Sequence, residues 1–129
     1  MSGRFLLDTN VIIALFAGER SVLEHLEKAE EVFVPSIVLG ELYFGAYKSR
    51  RVEENLRRID EFALSSAILA CDIDTAREYG AIKKELREKG RPIPENDIWI
   101  AAIAKQHKLV LITYDIHFAE IEGMIVEAW

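Results

Sequence analysis

Short apolar segments that suit β-strands alternate with helical segments along the whole chain. The predicted strands are 4–8, 31–34, 66–71, 109–113 and a short fifth at 124–127. The predicted helices are 10–17, 21–29, 36–47, 51–63, 75–90 and 96–107. Because such alternation is typical of parallel sheets joined by right-handed crossovers, the sequence predicts one α/β domain over residues 1–129. We expect three layers, with a mainly parallel central sheet of four to five strands flanked by helices.

Side chains suited to capping mark where several helices should begin. The predicted capping groups are Ser21 with Glu24, Ser36, and Thr75 with Glu78. Gly90 is predicted to end the helix that begins near residue 75. Asp72-Ile73-Asp74-Thr75 is also similar to the phosphatase pattern of two aspartates flanking one residue, but its threonine comes one position too early. Capping by Asp74 or Thr75 is therefore the better interpretation.

The composition is that of a globular protein, with 50% hydrophobic and 29% charged residues. No apolar run is long enough to cross a bilayer, and the first residues lack the layout of a signal peptide. Cys71, the one cysteine, lies in an apolar stretch and is predicted to be a small core residue in a reducing environment. These features predict a cytoplasmic protein without a membrane partner.

The formal net charge of −6 disfavours a nucleic-acid partner if it is considered alone, since phosphate contacts need lysine and arginine. The basic residues are nevertheless clustered in two segments. They are Lys48, Arg50, Arg51, Arg57 and Arg58, and then Lys83, Lys84, Arg87, Lys89 and Arg91. Local patches attract a polyanion more than net charge does, although the solvated faces of two helices would give the same clusters. The charge therefore permits an RNA partner without arguing for one.

Four acidic residues lie where a predicted strand ends or the next helix begins: Asp8, Glu41, Asp97 and Asp115. Three of them are embedded in apolar sequence, where a carboxylate is costly unless another group compensates it. The carboxyl ends of parallel strands share one edge of a sheet, which is where ligands bind. Carboxylates gathered there repel one another, and a hard divalent cation with oxygen ligands relieves the repulsion. The sequence therefore predicts a metal site at this edge.

The four acids lie in motifs that follow one another in a fixed order. The motifs are Leu7-Asp8-Thr9-Asn10-Val11, Glu41 in the helix after Pro35-Ser36, Asn96-Asp97-Ile98-Trp99-Ile100-Ala101-Ala102, and Thr113-Tyr114-Asp115 with Phe118. This ordered set resembles the PIN-domain ribonucleases and, more narrowly, the VapC-type toxins of toxin–antitoxin pairs. The resemblance implies that the four acids hold one or two Mg²⁺ or Mn²⁺ ions. It also implies an RNA substrate, a cognate antitoxin and a homodimer.

The motifs contain no histidine, lysine or cysteine nucleophile, so the expected attacking group is metal-activated water. Hydrolysis by that route leaves a 5′-phosphate and a 3′-hydroxyl. Within the resemblance, Asp8 and Asp97 are expected to be direct metal ligands. Asp115 is expected to act on the metal or through water. Glu41, on the longest arm, is expected to position or deprotonate water.

Several neighbours of the acids have two interpretations. Asn10 and Thr113 either orient the carboxylates, as metal sites generally require, or cap turns. Glu95 either joins the site or, as the favoured interpretation, stays solvated in the first turn of its helix. His117 is expected to be a loop residue and no ligand, because a hard cation prefers oxygen.

The aromatic residues near the acids are assigned to packing. Tyr43, Phe44 and Tyr47 follow Glu41 in the same helix and could stack on RNA bases, but packing is the favoured interpretation. Trp99 is likewise assigned to the core. If an antitoxin binds, its C-terminal segment is predicted to insert an arginine or lysine among Asp8, Asp97 and Asp115. Its apolar residues would then occupy a groove beside the helices around Tyr43 and Tyr47.

Two other functions are weighed against a ribonuclease. A receiver-type phospho-acceptor domain would need an acidic pair after the first strand and a lysine after the last, and the sequence has neither. A non-catalytic interaction module on the same fold would not need all four acids, and their retention counts against it. Metal-dependent cleavage of RNA would separate the three functions.

Overall fold

A five-stranded parallel sheet forms the centre of the computed structural model, which describes residues 3–129. The strands are β1 (Arg4–Leu7), β2 (Glu31–Pro35), β3 (Ala67–Leu69), β4 (Val110–Ile112) and β5 (Val126–Glu127). Their order across the sheet is β3-β2-β1-β4-β5, and each neighbouring pair is parallel. The predicted α/β architecture is confirmed, with a sheet of five strands and no antiparallel pair in the described part of the chain.

Six α-helices flank the sheet among the described residues. They are α1 (Thr9–Phe16), α2 (Arg20–Lys28), α3 (Ser36–Tyr47), α4 (Val52–Leu64), α5 (Ile73–Lys89) and α6 (Glu95–His107), and a 3₁₀ helix covers Ile116–Glu120. Every predicted element is present. The strands are mostly shorter than predicted, because residues at their carboxyl ends, such as Asp8 and Thr113, turn away to cap or orient the next segment.

The caps differ from those predicted. Helix α2 begins at Arg20 after Glu19, with no capping side chain, so the predicted Ser21 box is absent. Ser36 is already inside α3, and its N-cap position is held by Pro35. The capping box of α5 forms between Asp72 and Thr75, three residues before the predicted one.

The prediction for the end of α5 is confirmed. Gly90 adopts a left-handed conformation, with φ of 66°, and its N–H reaches carbonyl groups of the last helical turn.

The core lies between the central strands and α6. Leu6 and Leu7 of β1 and Leu111 of β4 are fully or almost fully buried. The middle of helix α6 is apolar on all sides and buries the run Ile100–Ala104, as is typical of a helix in the middle of a domain. This burial fixes the axis of α6, and with it the position of the acidic residue in its first turn.

Cys71 is exposed, so its prediction as a core residue is wrong. It follows β3, which is an edge strand whose first two residues are themselves exposed. An apolar neighbourhood in sequence therefore did not give a buried position. Within residues 3–129, no helix combines the length and apolar character needed to span a membrane.

Candidate active site

The strand order creates a crevice beside β1. From β1 the chain adds β2 and β3 on one side of the sheet, and later adds β4 and β5 on the other. Ligands of open α/β sheets bind at such a reversal, outside the carboxyl ends of the strands. Asp8 directly follows β1, and Thr113 directly follows β4. The two residues therefore stand on adjacent strands at this edge.

Asp8 is the buried acid of the site, with 5% of its surface exposed. It is the N-cap of α1, and its Oδ1 accepts from the Thr9 N–H at 2.8 Å. Its Oδ2 accepts from the Thr113 hydroxyl at 2.7 Å. Burial raises the pKa of Asp8 most strongly, repulsion by Glu41 and Asp115 adds to the rise, and the two hydrogen bonds oppose it.

Thr113 joins three parts of the site. Its hydroxyl donates to Asp8 and accepts from the Asp115 N–H at 3.0 Å and from Asn10 Nδ2 at 3.4 Å. Asn10 in turn accepts from the Tyr114 N–H through its Oδ1, at 3.2 Å. The Thr113 hydroxyl thus contacts both the turn after β4 and the Asp8 carboxylate, whereas Asn10 contacts Thr113 and the Tyr114 N–H and not a carboxylate.

Glu41 approaches the site from the second turn of α3 and is half-buried. The Thr9 hydroxyl donates to Glu41 Oε1 at 2.6 Å. Thr9 thus orients Glu41 while its N–H binds Asp8. Thr9 was not identified from the sequence, because the Asp-Thr-Asn segment is an ordinary turn in sequence and nothing in it points to a residue 32 positions away.

Asp97 lies in the first turn of α6 and is half-buried. Desolvation is the largest cause that raises its pKa, to about 6, and repulsion by Asp8, Asp115 and Glu41 follows in that order. His117 weakly opposes the rise. All four predicted acids are therefore near enough to interact electrostatically, although they come from four separate segments of the chain.

Asp115 caps the 3₁₀ helix after β4, with its Oδ1 accepting from the His117 N–H at 2.9 Å. The His117 ring also lies against this oxygen, with Nδ1 2.9 Å away. His117 is largely exposed and lies in the 3₁₀ helix, not in a loop as predicted. Its contact with Asp115 leaves the second carboxylate oxygen of Asp115 for other partners.

The donor set fits a hard cation, because it consists of carboxylate, hydroxyl and amide oxygens. Among residues 3–129, no three His, Cys, Asp or Glu side chains are drawn together as a closed metal site. The four carboxylates are close enough to repel one another, but they are not drawn into direct contact as a ready-made set of ligands. Since Mg²⁺ keeps several of its waters and needs only one or two protein carboxylates, this spacing suits a hydrated divalent cation.

Glu95 is directed away from the four acids. Its Oε2 lies 3.1 Å from Lys83 Nζ, and its Oε1 accepts from the Tyr79 hydroxyl. These two groups, Tyr79 first, lower the pKa of Glu95. The favoured prediction kept Glu95 out of the site, which agrees with this position, but Glu95 is bound to α5 and not simply solvated.

Most of the basic residues in the second predicted cluster, from Lys83 to Arg91, are paired with acids. Lys84 pairs with Glu88, Lys89 with Glu85 and Glu122, and Arg91 with Glu120. Lys48, the C-cap residue of α3, lies over the Phe44 ring at 4.6 Å from its centroid. Of the two predicted basic clusters, the one after α3 is therefore less neutralised by the described acids, although Arg51 pairs with Glu54.

The prediction that the α3 aromatics pack is wrong for two of three residues. Phe44 is 64% and Tyr47 is 66% exposed, because α3 is apolar on more sides than its neighbours cover. Tyr43 is half-buried and its hydroxyl donates to Asp60 at 2.5 Å. Trp99 packs, with its ring stacked on Tyr79 at 4.0 Å between centroids.

The chain is similar to known proteins over nearly its whole length. The model of the PIN domain matches residues 5–124. The ribonuclease VapC2 of Haemophilus influenzae is 36% identical, with 98% of each chain covered. The tRNA(fMet)-specific endonuclease VapC of Shigella flexneri is 33% identical, also with 98% of each chain covered.

Solved structures give the same result. The DNA-bound VapBC complex of Salmonella typhimurium contains a chain with a TM-score of 0.91 and 32% identity, covering 100% of this chain and 99% of that chain. In VapBC2 of Rickettsia felis, bound to a promoter DNA fragment, the TM-score is 0.90 at 32% identity, covering 97% and 98%. The chain therefore belongs to the PIN-domain family and, within it, to the VapC ribonucleases.

Proposed function

We propose that Asp8, Glu41, Asp97 and Asp115 bind Mg²⁺ or Mn²⁺ and that this VapC-family ribonuclease uses them to hydrolyse RNA, as the toxin of a toxin–antitoxin pair. One observation carries the proposal. Four carboxylates from four segments lie near one another at the carboxyl edge of a parallel sheet, close enough that three of them raise the pKa of the fourth. A bound cation would offset this repulsion.

The carboxylates differ in burial and in hydrogen bonding, and these differences suit them to different roles in the reaction. Asp8 is held by two hydrogen bonds and is the most rigid, so it is assigned to direct cation binding. Asp97 is half-buried, and its carboxylate makes no hydrogen bond with the described residues, so a cation can attract it inwards. Asp115 has one oxygen bound to the loop and the other available to the metal or to a water.

Glu41 is assigned to holding or deprotonating the attacking water. Thr9 binds one of its oxygens, which leaves the other to accept a proton from water. When bound, a divalent cation lowers the pKa of water and neutralises charge on the leaving oxygen. The residues of the site then have to align the attacking water with the phosphodiester. The hydrogen bond from Thr113 supports this alignment, because it fixes the orientation of the Asp8 carboxylate.

The ends of the RNA products test this chemistry. Hydrolysis by water should leave a 5′-phosphate and a 3′-hydroxyl, whereas attack by the RNA's own 2′-hydroxyl would leave a 2′,3′-cyclic phosphate. We expect 3′ ends that poly(A) polymerase can extend without prior phosphatase treatment. Cyclic phosphate ends made by the purified protein would contradict the assigned mechanism, and a protein that binds RNA without cutting it would favour the non-catalytic module.

The solved relatives are complexes of the VapBC type, which supports a cognate antitoxin as partner of this chain. A groove of about 280 Å³ runs between α1, α3 and α4 and reaches Glu41. Its lining includes Ile13, Phe16, Leu42 and Ile59. Tyr43 and Tyr47 do not line it, so this groove lies on the other flank of α3 from the position predicted for the apolar contacts.

We expect an antitoxin to fill this groove with apolar side chains and to insert an arginine or lysine among Asp8, Asp97 and Asp115. A guanidinium pairs with carboxylates in bidentate fashion and occupies the place of the cation. Replacing the inserted arginine by alanine should therefore restore RNA cleavage while the complex still forms in a pull-down. An antitoxin that still silences the ribonuclease after this change would place the inhibition elsewhere.

The homodimer and the cytoplasmic location stay predictions. The exposed Phe44 and Tyr47 on α3 offer a surface for a second copy. Sedimentation of the purified protein would measure its oligomeric state directly.

A further inference from the structure

The first turn of α6 carries Asp97 and has no capping side chain. Pro94 occupies the N-cap position, and only its carbonyl accepts from the turn, at 3.1 Å from the Asp97 N–H and 3.2 Å from the Ile98 N–H. The same turn faces three other carboxylates that repel Asp97. Burial of Ile98 and Ile100–Ala104 anchors α6 as a whole, and one further contact acts on its first turn.

That contact comes from α5. Lys83 Nζ lies 3.1 Å from Glu95 Oε2 and 3.0 Å from the Tyr79 hydroxyl, which also donates to Glu95. The Tyr79 ring stacks on Trp99 at 4.0 Å, with 14° between the planes. We call these four residues, Tyr79, Lys83, Glu95 and Trp99, the α5–α6 clamp.

The contacts of the α5–α6 clamp lie on the face of α6 opposite to Asp97. Glu95 and Trp99 are four residues apart and share one face, whereas Asp97 lies two residues from each, about 200° around the helix. Holding Glu95 and Trp99 on α5 therefore fixes the rotation of the first turn. It also sets the direction in which the Asp97 side chain points.

We propose that the α5–α6 clamp positions Asp97 for the cation, with Lys83 and Glu95 as positioning residues and not ligands. This inference rests on the proposed function, since it assumes that Asp97 takes part in metal binding. Lys83 has a second effect, because it keeps the Glu95 carboxylate on α5 and away from the four acids. The clamp thus separates a fifth negative charge from a site that already holds four.

An effect of charge alone and an effect of positioning predict different changes in cation affinity when Lys83 or Glu95 is replaced. If Lys83 and Glu95 acted only through their charges, Lys83→Met would make the site more negative and tighten cation binding. Glu95→Gln would weaken it. If they position Asp97, both substitutions break the same clamp and both weaken cation binding.

The experiment measures Mn²⁺ affinity of the RNA-free protein by titration calorimetry, and kcat for RNA at saturating Mn²⁺. We expect Lys83→Met and Glu95→Gln each to weaken Mn²⁺ binding by about two- to five-fold, the range open to a partly exposed ion pair. The double variant should bind Mn²⁺ about as weakly as either single variant, because each single substitution already breaks the pair. Tyr79→Phe keeps the ring stack, so its effect should be smaller.

Lys84→Met and Glu88→Gln are the matched controls. They remove the same charges from an exposed ion pair on the same helix, outside the clamp. We expect both to leave Mn²⁺ affinity and kcat within two-fold of the parent. Tighter Mn²⁺ binding by Lys83→Met, or a double variant restored to the parent value, would overturn the positioning role. Failure of the parent itself to bind Mn²⁺ or cut RNA would instead overturn the proposed function.

Discussion

Removal of divalent cations with EDTA is expected to abolish RNA cleavage, and added Mg²⁺ or Mn²⁺ is expected to restore it. The residues around Asp8 supply oxygen atoms for a hard cation, and His117, the nearby imidazole, is paired with Asp115. Without the cation the four carboxylates would repel both the phosphodiester and one another. The measurement is the rate of cleavage of an end-labelled RNA in EDTA, then with excess metal.

A second readout is independent of activity. A cation that binds only the folded protein stabilises it by mass action, so Mg²⁺ or Mn²⁺ should raise the unfolding temperature measured without RNA. The rise should saturate with metal concentration. Undiminished cleavage in excess EDTA by a pure preparation would exclude this mechanism, and the Asp8→Asn variant serves as the control for contaminating nucleases.

Asp97→Asn is expected to lower the rate of RNA cleavage by roughly a hundredfold or more, as removal of a key electrostatic group does in other enzymes. The amide has nearly the shape of the carboxylate but no charge to attract a cation. Because Asp97 is only half-buried, the fold should persist. The rate at saturating metal is compared with that of the parent, and a variant with full activity would remove Asp97 from the site.

The same substitution should raise the unfolding temperature in EDTA, and the gain should depend on pH. The folded-state pKa of Asp97 is about 6, against 3.8 for the ordinary group. Between these values the folded protein binds the proton more tightly, so the carboxyl favours folding below about pH 4 and loses that effect as pH rises through about 6. The advantage of the asparagine variant should therefore be small near pH 4 and full above pH 7.

Asp74→Asn is the matched control for stability. Asp74 is also in the first turn of a helix, but it is exposed and outside the four acids. An acid in that position is favourable to the helix dipole, so its removal should leave the unfolding temperature unchanged or lower it. If Asp97→Asn instead unfolds the protein in EDTA at every pH, Asp97 has a structural role.

The fold and the four acids followed from sequence because they rest on strong local signals. Apolar segments of strand length mark β1, β2 and β4, and a carboxylate next to an apolar segment is costly enough to stand out. Parallel topology then brings strand ends to one edge, so Asp8 and Asp115 could be placed together before their contacts were known.

The errors come from choices that depend on partners distant in sequence. Ser21 has the spacing of a capping box, yet α2 starts one residue earlier, because local capping competes with how the helix packs. The exposure of Phe44 and Tyr47 depends on which faces of α3 the other helices cover. Thr9 and Lys83 were not identified for the same reason, since their partners lie 32 and 12 residues away.

The edges of the sheet limit how this protein can meet other molecules. The outer strands, β3 and β5, have three and two residues. An extended peptide adds to a sheet through a row of free backbone groups on an edge strand, and strands this short offer too few. The same brevity protects the protein from open-ended stacking into fibrils. Partners of this protein therefore have to bind its helix surfaces through side chains. Side-chain contacts depend on the amino-acid sequence of the partner, so they can distinguish one partner from another, whereas backbone pairing cannot.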